Sequence, residues 1–145
     1  MTDVYADVEG ALRTWLRTRP AITDLVAQRV FFGIPKQATE TSFPMIVLSR
    51  VGGGDEAGDA AIDTATIQFD CYGSIDASSG YGKKYTATEL KNALRSELNT
   101  IAGDVALTAT VNCLGAAVES DVWLPDTDDD RPRYVITATV STISL

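Results

Sequence analysis

The sequence contains no histidine, and its 145 residues include only two cysteines, Cys71 and Cys113. The missing imidazole excludes Ser-His-Asp and Cys-His catalysis, histidine zinc sites and the commonest general base near neutral pH. A chain of this length can fold by packing alone, so the pattern predicts two buried free thiols, with a disulfide between neighbouring strands as the alternative. We expect no enzyme activity, no cofactor and no dedicated metal site.

Long apolar runs and an excess of basic charge are also missing. No apolar run approaches the roughly 18 to 20 residues of a membrane span, and the first residues are too acidic for a signal peptide. The chain has 12 basic and 20 acidic residues, a net charge of −8, which argues against binding to phosphates or anionic lipid. The length predicts one domain over residues 1–145. The lack of long apolar runs and the negative charge predict no membrane contact and no specific binding of nucleic acid.

Helical spacing of apolar residues occurs in two long stretches and one short one. From Val4 the apolar positions follow a helical stripe, which ends before Pro20. Residues 20–28 predict a short second helix that begins at the proline. A third helix is predicted from near Lys83 to Ile101, and Gly103 marks its end.

Strand patterns alternate with these helices. Residues 61–73 place apolar side chains on one face and polar ones on the other, so Asp70 is predicted to be a surface carboxylate rather than a general acid. Residues 45–51 are almost continuously apolar, which predicts an interior strand. Residues 105–120 and 133–143 also alternate and are predicted to be antiparallel neighbours. The resulting fold class is α+β, a mostly antiparallel sheet with two main amphipathic helices packed on one side.

Two loops and one extended segment hold the candidate interface residues. The glycine-rich residues 52–60 predict an exposed, flexible hairpin connection, since the sequence continues into a strand instead of the helix that a dinucleotide site needs. The acidic stretch before Pro132 has the spacing that opens a calcium loop but lacks its glycine and glutamate, which leaves weak cation binding open. The candidate loop residues are Asp55, Glu56, Asp59, Trp123, Asp126, Asp128, Asp129 and Asp130.

Two aromatic positions allow alternative interpretations. Trp123 is either an interface anchor or a cover for one end of the core. Residues Val30, Phe31 and Phe32 predict a short edge strand, which would invite pairing with another chain if it is exposed.

Taken in order, these elements resemble the tail terminator, or tail completion, family of long-tailed bacteriophages. The resemblance lies in the N-terminal amphipathic helix, the segment Pro-Ala-Ile-Thr-Asp-Leu-Val, and Arg29-Val30-Phe31 with Gly33 and Pro35. It continues with Phe43-Pro44 before an apolar strand, and with Gln-Phe-Asp-Cys-Tyr-Gly at 68–73 before a helix containing residues 93–98. The acidic loop maps to no shared motif.

The resemblance implies a structural virion protein, assembled in the host cytoplasm, that forms a ring, expected to be a hexamer, on the head-proximal end of the tail tube. Such a ring would end tube polymerisation and face the head connector, so its partners would be other copies, the tube protein and a neck protein. DNA would pass through the lumen without specific binding, and the acidic loop is a candidate lumen lining; aspartate-to-asparagine variants that left infectivity unchanged would remove that role. Another phage neck or head–tail connector protein, or a protein-binding adaptor, is the alternative.

Overall fold

The computed structural model describes residues 6–39, 42–55, 62–74, 80–126 and 131–144. Its elements, in chain order, are α1 (Val8–Leu16), α2 (Pro20–Val26), β1 (Val30–Phe31), β2 (Met45–Asp55), β3 (Ile62–Tyr72), α3 (Gly80–Asn99), β4 (Ala102–Ala106), β5 (Val111–Trp123) and β6 (Arg133–Ser144). This architecture confirms the predicted α+β class. Across the described ranges, no helix has the length and apolar character needed to span a membrane.

The six strands form one sheet in the order β1-β2-β3-β6-β5-β4. Only β1 and β2 are parallel, and every other neighbouring pair is antiparallel, including the predicted pair of β5 and β6. The pairing defines continuous transverse rows across the sheet. One such row runs Val30, Ile46, Cys71, Tyr134, Trp123.

The hydrophobic core lies between one face of the sheet and the helices. On β3 the inward side chains are the predicted ones, Ala65, Ile67, Phe69 and Cys71, all fully buried. They share a cluster with α1, through Leu12 and Leu16, and with α3, through Leu90, Leu94 and Leu98. The opposite face of β3 presents half-buried polar side chains, which confirms that the helices pack on one side only. A sheet face that is not packed on a core is typically polar.

The prediction of one strand over residues 105–120 is wrong. The structure divides this segment into β4 and β5, joined by a turn in which the N–H groups of Leu107 and Thr108 both donate to the Val111 carbonyl, at 2.9 and 3.3 Å. β5 then continues to Trp123, which therefore ends a strand instead of lying in a loop. The alternation of apolar and threonine residues runs unbroken through the turn, so the pattern gave no sign of the reversal.

The prediction of a loop beginning at Gly52 is also wrong. Residues Gly52 to Asp55 belong to β2 and pair with β3 as far as Asp63, with a bulge between Arg50 and Gly52. Gly53 has φ of 108°, and a Cβ atom there would collide with the Thr64 carbonyl oxygen. Pairing with β3 thus overrides the low strand propensity of glycine. The interior position predicted for residues 45–51 holds only at the start, since β1 covers only Ile46 and Val47.

Both cysteines are free and buried, as predicted. Burial, and to a lesser extent the charge of Asp70, raises the pKa of the Cys71 thiol. Burial likewise raises the pKa of Cys113. The native protein therefore keeps both thiols neutral at pH values where the unfolded chain ionises them.

These raised pKa values predict that stability falls as the pH rises above about 8.5, the pKa of a thiol in an unfolded chain. Below that pH the stabilising preference for the neutral thiol is fully present, and above it each buried thiol costs up to about 1.4 kcal/mol per pH unit. Urea unfolding between pH 8 and 10 measures the slope, which should be shallower in Cys71→Ala. A flat stability profile in the unmodified protein over this range would contradict the prediction.

Candidate functional site

Exposed apolar side chains concentrate at the two edges of the sheet. At the β1–β2 side, hereafter the first edge, Phe32, Ile34 and Val51 are 46 to 54% exposed. At the end of β5, part of the second edge (residues 116–124), Val122, Trp123 and Leu124 are 37 to 50% exposed. The other exposed large apolar residue among the described ones is Tyr85 on α3. Such patches on a small protein typically mark contact surfaces.

The backbone of β1 is closed toward the outside. The Ile46 N–H donates to the Arg29 carbonyl at 3.0 Å, so the alternation of a strand turns the N–H and C=O of Val30 away from β2. The Val30 N–H donates to Gln28 O at 2.8 Å. Its carbonyl accepts from Arg13 Nε at 2.8 Å and from Arg17 Nη2 at 3.0 Å. Another strand therefore finds no free backbone group at Val30.

The same two arginines give the first edge a positive charge. Arg13 lies over the Phe32 ring at 5.1 Å, and Arg17 lies 6.0 Å from the Phe31 ring centroid. Both guanidinium groups bond to a neutral carbonyl, a contact that leaves their charge in place. Burial, and to a lesser extent the neighbouring charge of Arg13, lowers the pKa of Arg17, since both disfavour the charged form of the guanidinium.

The backbone of β5 is open toward the outside over much of its length. β4 pairs with β5 only from Asn112 to Gly115, and no described strand lies beside residues 116–123 on that side. The Leu124 N–H donates to the Arg133 carbonyl of β6 at 3.0 Å. Alternation then directs the backbone groups of Trp123 and Asp121 away from β6. An open edge of this kind is a template for pairing with another strand.

The side chains of this second edge connect it to α3. Asp121 accepts from Arg95 at 2.9 Å and lies 3.1 Å from Lys91 Nζ. Trp123 packs on Tyr134 at 5.1 Å between centroids, with Lys84 Nζ 4.8 Å from its ring. Trp123 is thus held on its inner side by the fold while more than a third of its surface faces solvent, which fits an interface anchor better than a cover for the core.

The remaining candidate residues differ in where they lie: some belong to strands, some lie beyond a strand and some are outside the described residues. Val30 and Phe31 form β1, whereas Phe32 lies beyond the strand. Asp55 ends β2 instead of lying in a loop, and the Asp126 N–H donates to Arg131 O at 2.9 Å. Five of the candidate loop residues lie outside the described residues, so their role remains a prediction: Glu56, Asp59, Asp128, Asp129 and Asp130. The sequence patterns did not predict the open edge of β5, because the order of strands in a sheet cannot be inferred from any single segment.

The described residues contain few candidate groups for catalysis or metal binding. They contain no group of three or more histidine, cysteine or acidic side chains placed to hold a metal ion. Asp70 is half-buried and accepts from Gln68 at 3.0 Å, and Arg133 lies 4.0 Å away. A pocket of about 280 Å³ lies between α1 and the β4–β5 turn, where the Asp7 carboxylate already caps α1 by accepting from the Gly10 N–H. These groups have structural partners, which leaves the sheet edges as the candidate site.

Comparisons with known proteins place the chain in a family. No curated protein sequence matches the chain. Its fold is similar to that of a chain in the solved structure described as "Virion of native gene transfer agent (GTA) particle", with a TM-score of 0.59, 16% sequence identity and 95% of each chain covered. The sequence profile described as "Tail completion protein gp17" matches residues 10–142. The chain therefore belongs to the tail completion protein gp17 family and is a structural protein of a phage-type tail.

Proposed function

We propose that this protein forms a ring on the head-proximal end of the tail tube, where it ends tube polymerisation and provides the surface to which the head connector joins. The family match over residues 10–142 is the observation that carries the proposal. A protein that completes a tail must bind the last tube subunits and prevent further addition. A closed ring does both, because it presents different faces at its two ends.

The two sheet edges support this assembly. A ring is built from heterologous contacts, in which one patch of each copy meets a different patch of the next. The first edge carries Phe32 and Ile34 beside two arginines, and the second carries Val122 and Leu124 beside Glu119. Two different apolar patches on opposite sides of one subunit are what such contacts need.

The experiment is electron microscopy of tails assembled with and without the protein. We expect overlong or uneven tails in its absence, and restored length and head joining when the purified protein is added to a defective lysate. Tails of normal length that fail to join heads would instead assign the protein to the neck, as a connector. Tails that have normal length and also join heads without the protein would overturn the proposal.

A further inference from the structure

The open segments of β2 and β5 lie toward opposite edges of the sheet, at the same height along the strands. β1 covers β2 only at Ile46 and Val47, and β4 covers β5 only from Asn112 to Gly115. Between these limits, five rows of the sheet have an open strand at both ends among the described residues. The end residues of these rows are Leu48 and Asp121, Ser49 and Ser120, Arg50 and Val118, Gly52 and Ala117, Gly53 and Ala116.

The equal height of the two open segments matters because neighbouring copies in a closed ring are related by rotation alone. If the strands run roughly along the ring axis, the edge of one copy must meet the edge of the next at the same height, with no rise from copy to copy. The chain reverses three times from β2 through β3 and β6 to β5, so β2 and β5 are antiparallel. Rotation about such an axis preserves direction, so β2 of one copy meets β5 of the next as an antiparallel neighbour.

Side chains at the two edges are compatible with this contact. The first edge carries Arg13 and Arg17, and the second carries the exposed Glu119 together with Asp121, which is paired with Lys91 and Arg95. The second edge therefore has charges of both signs, and the open strand backbones and apolar side chains carry the contact.

The open part of β2 is also poor in side chains. Gly54 has no described atom within 4 Å of the place where a Cβ would lie, so packing within the subunit does not require a glycine there. Glycine weakens a strand unless another backbone must approach closely. Gly54 lies in the row next to the five open ones.

We propose that β2 of one copy pairs with β5 of the next copy, so that the six-stranded sheets continue from subunit to subunit around the ring. The inference rests on the proposed ring and adds the surfaces that build it: β2 with Phe32 and Ile34 on one side, residues 116–124 on the other. The contact is main-chain pairing between strands, with the apolar side chains of both edges excluding water around it.

Cysteine cross-linking tests this contact. Ser49 and Ser120 end the same row, and three strand spacings separate them within one subunit, about 14 Å. That span exceeds the roughly 7 Å limit between Cα atoms for a disulfide, so Ser49→Cys/Ser120→Cys can be linked only between copies. We expect a covalent ladder, on assembled tails or in concentrated protein, that stops at one fixed number of subunits. A short bifunctional maleimide allows for a small shift in register.

The single variants Ser49→Cys and Ser120→Cys are the matched controls, and neither should give a ladder, since like edges do not meet. Val122→Lys should abolish the ladder in the double-cysteine background with an unchanged melting temperature, because it places a charge in the exposed apolar patch that the next copy would bury. Asn92→Lys adds the same charge to an exposed position of α3 and should leave the ladder intact.

The inference fails if assembled tails contain the protein but the double-cysteine variant gives no ladder, or if Val122→Lys assembles as well as Asn92→Lys. These outcomes are separate from the test of the proposed function. Tails that are overlong without the protein, combined with no ladder, would retain the terminator role and remove only the β2–β5 contact. A ladder, combined with normal tails in the absence of the protein, would do the reverse.

Discussion

Replacing Phe69 with alanine is expected to lower the free energy of unfolding by about 4 kcal/mol. Phe69 is a fully buried side chain, and it lies in one row with Leu48 and Ile136, which are also fully buried. Helices pack above this row, so the lost ring would leave a cavity that neighbouring strands are too constrained to fill. Urea denaturation monitored by circular dichroism gives the value directly.

The neighbouring position supplies the control. Gln68 lies on the helix-free face of the same strand and donates a hydrogen bond to Asp70. Gln68→Ala also truncates a long side chain, but at a half-buried site, and we expect a loss of less than about 1 kcal/mol. Equal losses from the two variants would mean that the core does not lie on the face of β3 that contacts the helices.

Replacing Asp63 with leucine is expected to cost about 3 kcal/mol. The Asp63 carboxylate is almost fully buried and accepts two hydrogen bonds from the Arg50 guanidinium, at 2.5 and 2.7 Å. Removing the carboxylate takes two charge-assisted hydrogen bonds from the partly buried Arg50 guanidinium, which is where most of the loss arises. The pair joins β2 to β3 close to the bulge. Loss of the pair should therefore weaken the pairing of these strands most near Gly52 to Gly54.

A double variant separates the contribution of the Arg50–Asp63 ion pair from the cost of removing only one of its two charges. Arg50→Met/Asp63→Leu replaces both charges with apolar side chains, and it should be more stable than Asp63→Leu alone. The comparison uses thermal and urea unfolding of the two single variants, the double variant and the unmodified protein. If the double variant lost the sum of the single losses, the two side chains would act independently and the paired geometry would not contribute.

The helices and most strands follow from residue periodicity alone. The buried face of β3 was predictable because every second residue from Ala65 to Cys71 is apolar, and α1 and α3 because their stripes repeat at helical spacing. The β4–β5 turn was not predictable, since its threonines continue the alternation of the strands. Gly52 to Gly54 were assigned to a loop because pairing with β3, a non-local interaction, decides their conformation.

The candidate site depended still more on non-local information. The sequence indicated an edge strand at Val30 and Phe31, but its closed backbone depends on Arg13 in α1 and Arg17 just after it, 17 and 13 residues before Val30. The open edge of β5 appears only when β4 is seen to end its pairing at Gly115. The order of strands in a sheet is set by packing of the whole chain, and no segment encodes it by itself.

The occupied carbonyl of Val30 also bears on the protein before it enters a particle. In a copy that has not yet joined an assembly, an uncovered strand end can nucleate irregular, fibre-like stacking. Arg13, Arg17 and Gln28 close that end without any partner. Unassembled copies thus begin irregular pairing at the first edge only through β2, where the bulge between Arg50 and Gly52 increases the local twist. Irregular pairing at Val30 is therefore blocked within each copy, whereas the edge of β5 stays open until another strand covers it.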